Sequence, residues 1–171
     1  MAVNIIEDIL NHKDVLLALV DIRSMNNYMY SHSVNVAVIA LTIGIAFKFP
    51  KKKLEALCIG ALIHDIGKSL LPNKLLDKKN ELNDEEKQIM MQHPRLGYKY
   101  LSSTYNINSL SKLIVLQHHE RPDGNGYPDG LNYDNIIDLS NIVSVADAYD
   151  NLSTDLPEKR AMFPSDVLEY L

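Results

Sequence analysis

Apolar residues recur along this chain at helical intervals, interrupted by short polar stretches rich in turn formers. Val3, Ile6, Ile9 and Leu10, then Val15, Leu16, Leu19 and Val20, place an apolar stripe on a helix over residues 3–20. From Ser31 to Phe47 the chain is apolar on nearly every side, which predicts a buried helix stopped by Pro50. Its β-branched residues would suit a strand, but its length favours a helix. Lys52 to Ile66 forms the next helix, with Leu54, Leu57, Ala61 and Leu62 facing the core and the end falling near Gly67. After a loop around Pro72 and Asn73, Asn83 or Asp84 caps a helix through Glu85 and Glu86 that should reach His93. Glu86, three residues beyond Asn83, matches a capping box. Helices over 109–118 and 139–152 follow, and Ser165 is positioned to cap a last one. Between them, His119 to Gly130 carries too much Gly and Pro for a regular element. The predicted fold class is all-α.

A chain of 171 residues fits one domain with a substantial core. Its 46% hydrophobic and 23% charged residues mark a globular composition. The net charge of −5 argues against extended nucleic acid as a partner, since such surfaces are normally basic, although bound metal can reverse the field inside an acidic cleft. Cys58 is the single cysteine, so it forms no intramolecular disulfide, and its apolar neighbours predict a core position. Met1 to Asp8 lacks a basic segment followed by a long apolar run, and no stretch is expected to approach the roughly 20 apolar residues that span a bilayer. A cytoplasmic location is therefore expected. The sequence stops at Leu171 within what reads as a continuing helix, which suggests a fragment of a larger signalling protein with a separate regulatory domain.

The candidate chemistry lies in the histidines. Five of the six histidines fall in an arrangement with carboxylates, His32, His64-Asp65, His93, His118-His119 and Asp147, a set large enough for two divalent ions. Imidazoles and carboxylates together suit Fe, Mn, Co or Zn, and two ions side by side can clamp the attacking and leaving oxygens of a phosphoryl transfer. Asp65, with two oxygens, is the natural bridge. Each residue also has a plainer reading: His64-Asp65 as a solvated helix end, His32 as a satisfied histidine at a core edge, His93 as a surface residue beside Gln92. His118-His119 is harder to dismiss, because two adjacent imidazoles after an apolar run need partners for their nitrogens. Asp147, inside an apolar stretch, also needs a partner. His12, in the polar turn NHKD, reads as a surface residue.

These pieces, in order, resemble the HD-GYP family, a branch of the HD phosphohydrolase superfamily. The resemblance rests on HSVNVA at 32–37, ALIHDIGKSLLP at 61–72, LDKKNELNDEE at 76–86, HPRLG at 93–97, HHERPDGNGYPDGL at 118–131 and VADAYDNLSTD at 145–155. It covers residues 28–171 and leaves 1–27 as an N-terminal helical segment. It implies a single HD-type helical domain around a dinuclear iron or manganese centre that hydrolyses cyclic di-GMP to pGpG and, in some members, on to GMP. Carried over by motif, one ion takes His32, His64, Asp65 and Asp147, and the other takes Asp65, His93, His118 and His119. Asp65 and Lys68 are the catalytic candidates, with Lys68 facing a substrate phosphate and adding positive charge in the transition state. The loop from Gly124 to Pro128 would order the site.

The sequence departs from the family pattern twice. Tyr28 stands where members with a third metal carry a glutamate, so a dinuclear centre is expected. After the DAYD segment, Leu156 and Lys159 replace arginines that contact the cyclic dinucleotide, and neither offers a bidentate fork. Substrate contacts then fall to Lys68, Lys159 and Arg121. The alternatives are a hydrolase of another nucleotide or phosphate ester, or a weakly catalytic metal-containing signalling domain. Tyr98, Tyr100 and Tyr105 are candidates for a homo-oligomer contact or for half-buried helix positions.

Overall fold

A computed structural model describes residues 12–25, 27–76, 78, 80–155 and 160–170. Nine α-helices run through these residues: α1 (Lys13–Met25), α2 (Asn27–Ala46), α3 (Lys51–Ile63), α4 (Asn73–Leu76), α5 (Asp84–Met90), α6 (His93–Thr104), α7 (Ser109–Gln117), α8 (Asp138–Ser153) and α9 (Pro164–Tyr170). Short 3-10 turns occupy Ile66–Leu70 and Tyr133–Asn135, and the β-structure among the described residues is one isolated bridge, Asp123 to Asn132. The all-α class is observed.

α3 is the axis of the bundle. Eight of its thirteen residues are buried, Leu54, Leu57, Ala61 and Ile63 among them, and it packs against α1, α2, α7 and α8. Val36 and Ala40 of α2, Ile114 and Val115 of α7, and Val143 and Ala146 of α8 close the core around it. A helix buried on this many sides delivers whatever follows its C-terminus into the interior, and His64 and Asp65 follow directly. Cys58 is buried here as expected, and burial pushes its thiol up to about 12.

Several boundaries differ from the sequence expectations for local reasons. The part of the first helix over 3–11 lies outside the described residues, and α1 runs on to Met25. α3 ends at Ile63, short of Gly67, because the chain tightens into the 3-10 turn there. The expected loop at Asn73 contains the short α4. α5 stops at Met90, and His93 instead opens α6, with Pro94 in its first turn, where a missing N–H costs nothing. Ser165 lies inside α9, whose first residue is Pro164, and its hydroxyl bonds Asp166 Oδ1 at 3.0 Å in place of a cap. The expectation that no stretch approaches a bilayer span is corrected: Tyr28–Ala46 is long and apolar enough by length and composition. In this fold that helix is a wall of the bundle, packed on α3 and α8.

The capping box is present. Asn83 Oδ1 accepts the Glu86 N–H at 2.9 Å, and Glu86 Oε2 accepts the Asn83 N–H at 2.8 Å while also pairing with Lys78. Asn83→Ala is expected to cost about 1 kcal/mol. The check is a lowered urea midpoint with an unchanged slope.

Candidate metal centre

Residues adjacent on an α-helix point about 100° apart, so an ordinary helix could not aim both His64 and Asp65 at one cavity. Here α3 has ended: Asp65 takes φ −94° and ψ 6° and leads into the 3-10 turn, and both side chains face inward, His64 fully buried and Asp65 2% exposed. Gly67 permits this turn to press against α6, since a Cβ there would lie 1.9 Å from the His93 carbonyl oxygen. α2 contributes His32, α6 contributes His93 at its first position, the end of α7 contributes His118 and His119, and α8 contributes Asp147.

The seven side chains form two adjoining sets. Asp65, His93, His118 and His119 offer ligand atoms that all lie within 4.8 Å of one another, and so do those of His32, His64 and Asp147. Asp65 spans the two: Oδ1 lies 3.2 Å from His93 Nε2 and 3.8 Å from His118 Nε2, while Oδ2 lies 3.5 Å from His64 Nε2. Within the second set, His32 Nε2 is 3.0 Å and His64 Nε2 3.8 Å from Asp147 Oδ1.

Proton positions follow from the partners. His64, His93 and His118 each direct Nδ1 at a backbone carbonyl, of Ala61, Met90 and Val115, at 2.8, 2.8 and 2.9 Å. A carbonyl oxygen only accepts, so each Nδ1 carries the hydrogen, and in the neutral ring each Nε2 then presents a lone pair. The Nε2 atoms of His93 and His118 are 3.3 Å apart, two acceptors facing each other. His64 Nε2 and Asp65 Oδ1 are buried without a hydrogen-bond partner. Unsatisfied acceptors at this density are costly, and a divalent cation satisfies all of them. The donor set of imidazole nitrogens and carboxylate oxygens fits two such ions.

The surroundings favour deprotonated Asp65, His118 and His119 and act the other way on His64. Burial opposes the Asp65 carboxylate, but Lys68, with Nζ 2.6 Å from Oδ2, and His64 hold it well below the usual range. Burial likewise opposes the Lys68 ammonium, yet Asp65 outweighs it and keeps the lysine charged. Burial lowers His118 to about 4 and takes His119 well below its ordinary value, both aided by neighbouring histidines. His64 is raised, because Asp65 and Asp147 outweigh its burial.

A pH prediction follows for the metal-free protein. Between about pH 6.5 and 4 the unfolded chain binds protons that folded His118 refuses, so its contribution to stability is full above 6.5 and is lost as pH falls toward 4. His64 acts with the opposite sign. Its contribution is present below its unfolded value and is lost as pH rises through the folded one. His118→Gln is expected to remove up to about 3 kcal/mol of pH dependence over that window, read from urea unfolding at a series of pH values.

A cleft of about 710 Å³ opens onto the centre, lined by Tyr28, Lys68, Ser69, Asn73, His119 and Tyr127 among others. Tyr28 stacks on His32 at 6.1 Å between ring centres. The Gly-rich loop supplies Tyr127, stacked on His119 at 4.6 Å. Arg121 is not brought to the cleft: its exposed guanidinium pairs with Asp123 at 2.9 Å. Lys159 and Leu156 lie outside the described residues. Tyr100 and Tyr105 are half-buried and both donate to Asp21 Oδ2, at 3.0 and 2.9 Å.

Two buried carboxylates were not assigned roles from the sequence. Glu120 accepts the Asp129 and Leu131 N–H groups at 2.7 and 2.8 Å and thereby closes the 121–130 loop. At Gly126 the loop folds back so closely that a Cβ would lie 2.3 Å from the Arg121 nitrogen. Asp150 bonds His32 Nδ1 at 2.7 Å. Its spacing of three from Asp147, which places both on one side of α8, was the available signal.

A helical domain holding two adjoining His/Asp sets joined by one carboxylate has the architecture of a dinuclear metal protein. The chain belongs to the HD domain family, whose model matches residues 6–171, and it is related to cyclic-nucleotide phosphodiesterases of the HD-GYP and HD type. It is 33% identical over 163 residues to the cyclic di-GMP phosphodiesterase PA4108 of Pseudomonas aeruginosa, covering 95% of this chain and 39% of that protein. It is 28% identical over 166 residues to the 3'3'-cGAMP-specific phosphodiesterase 1 of Vibrio cholerae, covering 97% of this chain and 38% of that protein. Among solved structures, the HD-GYP-like protein Bd1817 of Bdellovibrio bacteriovorus superposes with a TM-score of 0.67 at 25% identity, over 82% of this chain and 44% of that one. The chain thus spans less than half the length of these relatives.

Proposed function

We propose that this chain is a metal-dependent phosphodiesterase that opens a cyclic dinucleotide, with cyclic di-GMP converted to pGpG as the leading reaction. The observation that carries the reading is Asp65, whose two oxygens face two separate ligand sets beside an open cleft. His32, His64, Asp65 and Asp147 would hold one ion, and Asp65, His93, His118 and His119 the other, with iron or manganese suited to the mixed donors. Bound divalent ions would supply Lewis acidity to the phosphoryl oxygens and a nucleophile at neutral pH. Lys68 stands between Asp65 and the cleft as a retained cation, placed to offset charge developing on a phosphate. Tyr28 and Tyr127 supply flat apolar walls on which a base can stack.

The relatives named above support the cyclic dinucleotide class and divide over its bases, one acting on cyclic di-GMP and the other on 3'3'-cGAMP. The test is to incubate iron-loaded and manganese-loaded protein with each compound and resolve products by chromatography with mass detection. A linear dinucleotide is expected, with Lys68→Ala reducing turnover by about 10²- to 10³-fold, the scale of losing one charge-stabilising donor. Intact substrate in the presence of protein carrying two ions would overturn the reading.

A further inference from the structure

The four site histidines that receive a hydrogen-bond partner at Nδ1 do not receive the same kind. His64, His93 and His118 use the carbonyls of Ala61, Met90 and Val115, each in the last turn of a helix, α3, α5 and α7. Carbonyls there lack an intrahelical partner, so orienting a histidine also satisfies an orphan acceptor. His32 has no such recourse. It is six residues into the twenty-residue α2, where the backbone carbonyls belong to the helical ladder. Its Nδ1 is met instead by a side chain from another helix, Asp150 Oδ2, at 2.7 Å.

Asp150 is otherwise poorly placed. It is 4% exposed, and burying a carboxylate is costly unless it is paired. It also sits in the last turn of α8, where the helix dipole favours a cation and disfavours an acid. Neither propensity nor packing accounts for a buried acid at that position, whereas the bond to His32 does. His32 Nε2, on the far side of the ring, points at Asp147 Oδ1.

We infer that Asp150 is a positioning residue: it fixes the ring of His32 and its Nδ1 hydrogen, so that Nε2 presents a lone pair beside His64 and Asp147. The inference rests on the metal-centre reading above. It adds an asymmetry, because one histidine of the His32 set is backed by a charged acceptor, while His64 beside it and both His93 and His118 of the other set are backed by neutral carbonyls. A carboxylate behind an imidazole raises its basicity and fixes its orientation, and loss of such a partner typically costs 10- to 100-fold in metal affinity.

The experiment measures binding of Mn²⁺ to the metal-free full chain by chelator competition, with no substrate present. Wild type is expected to take up two ions, and Asp150→Ala to bind one of them about 10- to 100-fold more weakly. Asp150→Asn keeps an oxygen acceptor without the charge and is expected to lie between. In a His32→Ala background, Asp150→Ala should add little, since both changes act on one ligand. Wild-type affinity for both ions in Asp150→Ala, or an undiminished loss in the His32→Ala background, overturns the inference while leaving the metal centre standing. Should Asp150→Ala fail to fold, Asp150→Asn carries the same cycle: a several-fold loss that vanishes without His32 supports the role, and no loss refutes it. A wild type that takes up no ion overturns the metal-centre reading, and this inference with it.

Discussion

Asp65→Ala is expected to lose both ions' proper binding and to lower turnover by more than about 100-fold, beyond the range for an outer partner. The reason is geometric: one residue faces His93 and His118 with Oδ1 and His64 with Oδ2, so its removal opens both sets together. Lys68 loses its 2.6 Å partner in the same change and leaves a cation next to the vacated position, which further disfavours a bound metal ion. Ion content by elemental analysis, set beside product formation, is the check. Asp65→Asn, similar in size but uncharged, separates loss of charge from loss of volume. Retention of two tightly bound ions by either variant would remove Asp65 from its bridging role.

Gly67→Ala should be the most damaging single methyl group in the chain. The added carbon would meet the His93 carbonyl oxygen at 1.9 Å and the Gly97 nitrogen at 2.7 Å, both backbone atoms that no rotamer change can move aside. Relief requires the 3-10 turn and α6 to separate, at a cost of about 3 kcal/mol, the upper part of the overpacking range. For a chain of this size that corresponds to a fall in Tm of roughly 10 °C. The same separation draws Asp65 away from His93, so metal affinity should fall together with stability. Thermal unfolding and Mn²⁺ binding measured on one preparation test both. An unchanged Tm would show that the close approach of the two segments is not required.

Periodicity and end signals in the sequence predicted most of the helices, because burial of one stripe or of a whole surface leaves a mark at every third or fourth residue. α2 and α8 were legible this way, and so was the Asn83 cap, whose chemistry is local. Less legible were the places where a helix stops under tertiary pressure. Nothing between Lys52 and Gly67 forbids a continued helix, and its end at Ile63 reflects the packing of Gly67 against α6. His93 was likewise expected at the end of one helix and instead begins the next.

The candidate site divides along the same line. Residue type alone separated His32, His64, Asp65, His93, His118, His119 and Asp147 from the background, since imidazoles and carboxylates among apolar neighbours demand partners wherever they fold. Which of them meet is a matter of three dimensions: His32 and Asp147 are 115 residues apart in the numbering and 3.0 Å apart in the fold. Asp150 left a signal in its spacing from Asp147, but its partner, those of Glu120 and the exposed ion pair of Arg121 were decided by which side of α8 faces α2 and how the Gly-rich loop closes. The sequence by itself determined the helical class and the chemical character of the centre, because both depend on residue type and near-neighbour spacing. The tertiary structure alone decided that Asp65 joins two sets, that carbonyls orient three histidines and that a carboxylate orients the fourth, because those relations are distances between segments remote in the chain.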